Sequence, residues 1–184
     1  MFVRILPVGN LPQQLLESIK SELEDNFNIK SRILPKVNIP QEAYNHFRKQ
    51  YHAGKLMDVV LKEMTQARFI EKSIPTILIT EADLYYEGLT FVFGLENPTQ
   101  GSSIVSLSRL RSEFYDQKPN PYLLRERTLK EVVHELGHHS SLEHCEHDFC
   151  VMHFSPSVKD VDNKKNQFCT ECKVKMMTRG VSLE

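Results

Sequence analysis

His134-Glu135-Leu136-Gly137-His138-His139-Ser140-Ser141-Leu142-Glu143-His144-Cys145 is the stretch on which the reading of this chain turns. The residues around it predict a long helix, roughly Tyr122 to Ser140, anchored by Leu129, Val132, Val133 and Leu136. Residues four apart share a helix face, so His134 and His138 can present both imidazoles to one ion. Glu135 follows the first histidine and points to one side of such an ion. That position suits a general base, because zinc lowers the pKa of water to about 7 and a carboxylate can take its proton. The competing reading is an exposed helix that carries these residues by chance. HExxH is a moderately specific signal and needs context.

The context is a crowd of metal-binding side chains. Of eight histidines, only His46 and His52 lie outside the segment from His134 to Cys172, and all four cysteines lie inside it. Cys145, Cys150, Cys169 and Cys172 are spaced C-x4-C-x18-C-x2-C. Four thiolates make a closed tetrahedral shell, the structural type of zinc site, and Cys169-x-x-Cys172 is a knuckle that can grip one ion. A redox C-x-x-C would be expected near the start of a βαβ unit instead. Cys145 adjoins His144, so closing a thiolate site would also fix the segment beside that histidine.

Working outward, Phe2 to Val8 reads as a buried strand, followed by a helix from Pro12 with Leu15, Leu16, Ile19 and Leu23 on one face. Further strands are expected at Phe27 to Leu34, Ile74 to Thr80, Leu89 to Phe93 and Ser102 to Leu107, with Gly94 to Gly101 a loop. Gly54 to Phe69 is an amphipathic helix, and Gln41 to Tyr51 carries no clear pattern. This alternation predicts an α+β fold, a mixed twisted sheet packed on helices, as a single domain over residues 1–184. Residues 1–140 form its sheet-and-helix part. Residues 141–184 lack periodicity and are expected to be an irregular segment clipped by metal.

His144 lies six residues after His138, the spacing of the third ligand in HExxHxxGxxH, and this resembles the metzincin metallopeptidases. The composite pattern His134-Glu135-x-x-His138-x5-His144-Cys145-x4-Cys150-x-Met152, ending in Cys169-x-x-Cys172, resembles the archaemetzincins among them. The resemblance implies a minimal metzincin-type domain with two zinc ions: a catalytic one on His134, His138 and His144, and a structural one on the four cysteines. It also implies Glu135 as general base and acid, and Met152 as an apolar floor beneath the histidines. Ser102 to Leu107 would be the strand at the rim of the cleft, to which a peptide can add. The motif's glycine is replaced by Ser141. If the turn needs a left-handed backbone, serine there costs on the order of 1–2 kcal/mol, which a bound metal can absorb. No tyrosine follows Tyr122, so oxyanion stabilisation would fall on zinc and on backbone groups. His139, His147 and His153 are off the ligand spacing and read as surface or supporting residues.

The expected function is zinc-dependent hydrolysis of peptide bonds, with peptides or proteins as substrates. One alternative is a non-catalytic zinc module on a peptidase scaffold. Another is a nucleic-acid hydrolase, since the tail carries Lys159, Lys164, Lys165, Lys173, Lys175 and Arg179. Asp160, Asp162 and Glu171 interrupt those basic residues, and 23 basic against 24 acidic residues leave a formal charge of −1, so no nucleic-acid partner is expected. No apolar run reaches membrane-span length, and the apolar N-terminus is too short for a signal peptide. A cytoplasmic monomer, without a membrane partner, is therefore expected.

Overall fold

The computed structural model describes residues 1–70 and 74–178, so Arg179 of the basic tail lies outside the described residues. In chain order the elements are β1 (Phe2–Val8), α1 (Gln13–Phe27), β2 (Lys30–Ile33), β3 (Tyr44–Asn45), β4 (Gln50–His52), α2 (Ala53–Gln66), β5 (Thr76–Thr80), β6 (Leu84–Tyr85), β7 (Gly94–Asn97), β8 (Ser102–Ser106), α3 (Pro121–His139), α4 (Val158–Asn163) and α5 (Thr170–Thr178). The main sheet has the order β2-β1-β5-β8-β7. Its first four strands are parallel, and β7 pairs antiparallel with β8 at the edge. A small sheet of β3, β4 and β6 stands apart from it.

Side chains alternate across a strand, and here each face has its own helices. Val3, Ile5, Ile77, Ile79 and Val105 pack with Leu16 and Ile19 of α1 and with Leu129, Val132 and Val133 of α3. Leu6, Val8, Leu78 and Ile104 face the other way, against Leu56, Met57 and Val60 of α2. Parallel strands covered on both faces are predominantly apolar, as β1 and β5 are apart from Arg4 and the two terminal threonines of β5.

Three expectations about the sheet are corrected. Ser102–Leu107 is not the rim: β8 runs between β5 and β7, and all five of its residues are buried. The edge strand is β7, inside the stretch read as a loop. Gly94-Leu95-Glu96-Asn97 has no apolar alternation because both its faces are only half-covered. Leu89 to Phe93, read as a strand from its aromatic content, is irregular and lines a cleft instead.

The C-terminal segment is also more regular than expected. It carries α4 and α5, and it contributes Val151, Met152, Val161, Phe168 and Met176 to the core that α3 faces. It therefore buries apolar surface in addition to gathering cysteines. Among the described residues no helix is long and apolar enough to cross a membrane.

The helix that matters most is well delimited. Asn120 caps α3 by accepting the Leu123 N–H at 3.0 Å, with Pro121 at the first helical position. At the other end Ser141 N–H donates to His138 O at 2.7 Å and Leu142 N–H to Gly137 O at 3.0 Å. That double pattern is a Schellman stop, which needs a left-handed residue at its bend. Ser141 is that residue, with φ of 60°. The strain expected from sequence is therefore present. Ser141→Gly should remove it and stabilise the protein by about 1 kcal/mol, raising the thermal midpoint by a few degrees. An unchanged or lower midpoint in thermal unfolding would show that serine carries no net cost there.

Candidate active site

Helix α3 brings His134 and His138 onto one face, and the Schellman turn sends the chain back so that His144 joins them. The His144 ring lies 5.3 Å from that of His134 and 5.0 Å from that of His138. The nearest ring nitrogens of the three all lie within 4.8 Å of one another. Backbone carbonyls orient two of the rings. His134 Nδ1–H donates to Val151 O and His138 Nδ1–H to Leu142 O, both at 2.8 Å. A carbonyl can only accept, so each Nδ1 carries the proton and each Nε2 presents a lone pair. Those two Nε2 atoms face each other at 3.0 Å. Burial holds all three histidines below their ordinary pKa, hence neutral. Two neutral lone pairs repel at that distance unless a cation sits between them, so the donor set fits a metal ion.

Glu135 is 3% exposed, and its Oε2 has no hydrogen-bond partner among the described residues. Burial pushes its carboxyl well above the ordinary range, with Glu131 and Glu96 adding to the rise and Lys164 opposing it. A cation held by the histidines would pull it down again. The space for this carboxylate is made by Gly94: a Cβ on β7 at that point would overlap Glu135 Oε1. Met152 is fully buried and packs against α3 where a Cβ on Gly137 would overlap its sulfur. It therefore lies against the turn that separates the two helical histidines.

The four cysteines form a second group, their sulfurs also within 4.8 Å of one another. Cys145 Sγ lies 3.8 Å from Cys169 Sγ, and Cys150 Sγ lies 3.7 Å from Cys172 Sγ. A disulfide needs about 2.05 Å. The edge of a tetrahedron of thiolates around zinc, with Zn–S of about 2.3 Å, is about 3.8 Å. Burial pushes the Cys150 and Cys172 thiols up, so these sulfurs resist ionising without a cation at their centre. The two groups are joined through the backbone: Cys145 N–H donates to Met152 O at 3.0 Å, and His153 Nδ1–H to Cys145 O at 3.0 Å.

Every residue expected in the two metal groups is thus brought to its group. His139, His147 and His153 belong to neither. His139 packs beside Glu96 at 3.8 Å, and burial first, then the neighbouring His138, lowers its pKa to about 4. His147 meets the Phe149 ring edge-on. His52 caps α2 by accepting the Lys55 N–H.

The three-histidine group floors a cleft of about 490 Å³, walled by Leu89 to Glu96 on one side and by Phe154, Ser155 and Pro156 on the other. Sequence reasoning missed Gly94, Gly137 and Lys164. Glycine inside a helix costs about 1 kcal/mol relative to alanine, so Gly137 was itself a sign of a close contact. Lys164, read as part of a basic tail, is 1% exposed. It lies 2.9 Å from buried Glu131 in the cleft wall, misaligned for a hydrogen bond to that oxygen.

A buried carboxylate between two helical histidines, a third histidine returned by a sharp turn and a methionine packed against the helix between them suit a zinc metallopeptidase, and that is the class of this chain. The chain belongs to peptidase family M54, which it matches over residues 11–178. The archaemetzincin of Methanocaldococcus jannaschii is 38% identical over 98% of this chain and 96% of its own length. That of Sulfolobus acidocaldarius is 41% identical over 95% of each. Among solved structures, a zinc-dependent peptidase from Methanocorpusculum labreanum superposes with a TM-score of 0.85 at 28% identity, covering 95% of this chain and 99% of that one. The archaemetzincin of Archaeoglobus fulgidus complexed with malonate gives 0.79 at 32% identity, with the same coverage.

Two glycine substitutions check the packing. Gly137→Ala should destabilise by about 1–3 kcal/mol in denaturant unfolding, because Met152 must move. Gly94→Ala should leave global stability nearly intact and cut hydrolysis sharply, because it displaces the Glu135 carboxylate. Full activity in Gly94→Ala would show that this carboxylate need not sit where it does.

Proposed function

We propose that this peptidase hydrolyses peptide bonds with Glu135 as the proton carrier. In this reading His134, His138 and His144 hold a catalytic zinc ion, and Cys145, Cys150, Cys169 and Cys172 hold a structural one. When bound, the first ion supplies Lewis acidity toward a carbonyl oxygen and toward water. Glu135 takes a proton from the attacking water as the C–O bond forms. It then gives that proton to the amine nitrogen as the C–N bond breaks. Gly94 and the half-buried β7 backbone leave the carboxylate room to reach both atoms. The peptide itself adds to the open edge of β7, whose unpaired backbone groups are a ready template for another strand.

The observation that carries this reading is the buried, unpartnered Glu135 oxygen in a cleft beside three convergent imidazoles. A purely structural zinc site has no use for such a group. The inward burial of Lys164 removes one cation from the nucleic-acid alternative. Four thiols gathered without a disulfide suit a reducing compartment, and the cytoplasm is the expected one.

The test is a peptide-library assay with zinc-loaded protein. Glu135→Ala should retain both ions and lose about 10²- to 10⁴-fold in rate. Full hydrolytic rate in that variant would exclude the role given to Glu135. Metal analysis should return two zinc ions per chain. Cys172→Ser should lower the count to one and lower the melting temperature markedly, whereas His138→Ala should lower the count with a smaller effect on melting. Equal thermal effects from the two variants would contradict the division into structural and catalytic ions.

A further inference from the structure

Strand β7 lies across α3 in a matched register. Two strand residues span about 6.8 Å and four helical residues about 6 Å. Gly94 sits over Glu135, and Glu96, two residues on, sits beside His139, four residues on. Glu96 therefore occupies the same face of the edge strand as the glycine that accommodates the catalytic carboxylate. It lines both the cleft and an adjoining cavity of about 520 Å³.

That cavity is bordered by Glu96, Glu143, His138, His139 and Ser141, with two carboxylates and no lysine or arginine among its lining residues. The Glu96 side chain is 16% exposed. Among the described residues no lysine or arginine makes an ion pair with it, and the nearest basic group is the His139 ring at 3.8 Å, too far for a hydrogen bond. A second polar group beside it also lacks a partner. The His139 side chain is only 6% exposed, and its Nε2 has no hydrogen-bond partner among the described residues. A half-desolvated carboxylate without a cationic partner and the edge of a largely buried imidazole thus border one cavity beside the reacting centre.

We propose that Glu96 is a specificity-determining residue that receives a lysine or arginine side chain of the bound peptide, on the N-terminal side of the scissile bond. This rests on the reading that peptides add to β7 and are cut beside Glu135. A peptide pairing antiparallel to β7 runs from Asn97 toward Gly94. Since Gly94 lies over Glu135, the residues before the scissile bond lie beside Glu96. Side chains on facing strand positions are about 5 Å apart, within reach of an ion pair. A guanidinium, with five N–H donors in a fixed fork, can meet the Glu96 carboxylate with two parallel hydrogen bonds. Burial raises the Glu96 pKa, as expected for a carboxylate whose counter-charge is missing.

The test separates binding from cleavage. Zinc-loaded Glu135→Gln protein is titrated with fluorescent peptides in which arginine, its neutral isostere citrulline, or glutamate is walked through consecutive positions. Arginine should bind about tenfold more tightly than citrulline at one position, with glutamate weaker than both. Adding Glu96→Gln should abolish the arginine advantage, and adding Glu96→Arg should turn the preference toward glutamate. Equal affinities for arginine and citrulline at every position overturn the subsite, as does an arginine preference that survives Glu96→Gln, or an absence of binding. The same peptides are then offered to zinc-loaded protein with Glu135 intact. Arginine-selective binding without any hydrolysis would overturn the catalytic reading and leave the subsite standing.

Discussion

Two unprotonated imidazole nitrogens face each other 3.0 Å apart on one side of α3, and much of the structure serves to keep them there. Left alone, the rings would rotate apart. They are held by carbonyls that take the proton on the opposite ring nitrogen, from Val151 for His134 and from Leu142 for His138. Neither carbonyl belongs to the helix. Both come from chain that has passed the Schellman turn, so the ligand geometry is imposed by the tail on the helix.

The tail must then be fixed in its turn. Val151 lies one residue after Cys150, and Cys145 N–H reaches across to Met152 O. A cation among the four sulfurs would close the loop from 145 to 172 and hold the Val151 carbonyl against His134. The two metal groups are thus coupled mechanically through a few backbone bonds, which gives the distant thiolates a role in the cleft without any contact with substrate. Met152, whose carbonyl takes the Cys145 N–H, also packs its side chain against α3, and Gly137 lets it approach the helix that closely.

Polar clamps reinforce the same junction. Arg127 forks onto Asp162 at 2.7 Å through two nitrogens, Lys130 donates to the carbonyls of Val161 and Asp162, and Lys164 pairs with Glu131. The last pair is buried, so the desolvation of both charges offsets much of its attraction. Its effect is conditional: removing either partner leaves the other charge stranded in the cleft wall, at about 3–5 kcal/mol. Such a contact adds little net stability yet strongly disfavours any placement of α4 other than this one. That is what a site assembled from two separate stretches of chain requires.

Legibility in the sequence followed the range of the interactions. Helix α3 and both donor sets could be read because their spacing is local: four residues along a helix, three across a knuckle, six across a turn. The left-handed bend at Ser141 was legible only as a condition, set by the glycine that the family motif carries at that position. The sheet edge could not be read that way. Whether a strand is inner or outer depends on which strands pair, and β8 is buried only because β7 returns antiparallel from a stretch whose glycine reads as a loop. Lys164 was opaque for the same reason, since a lysine among charged neighbours reads as solvated until its partner 33 positions upstream is known. Gly94 combines both cases. Its glycine signals a close approach, but the object approached, a carboxylate on a helix 41 residues later, is set by tertiary packing alone. In this fold the chemistry is written in local spacing. The shape of the cleft, and with it the choice of substrate, is written in long-range pairing. Glu96 therefore acquires its place beside the site only once β7 is laid across α3.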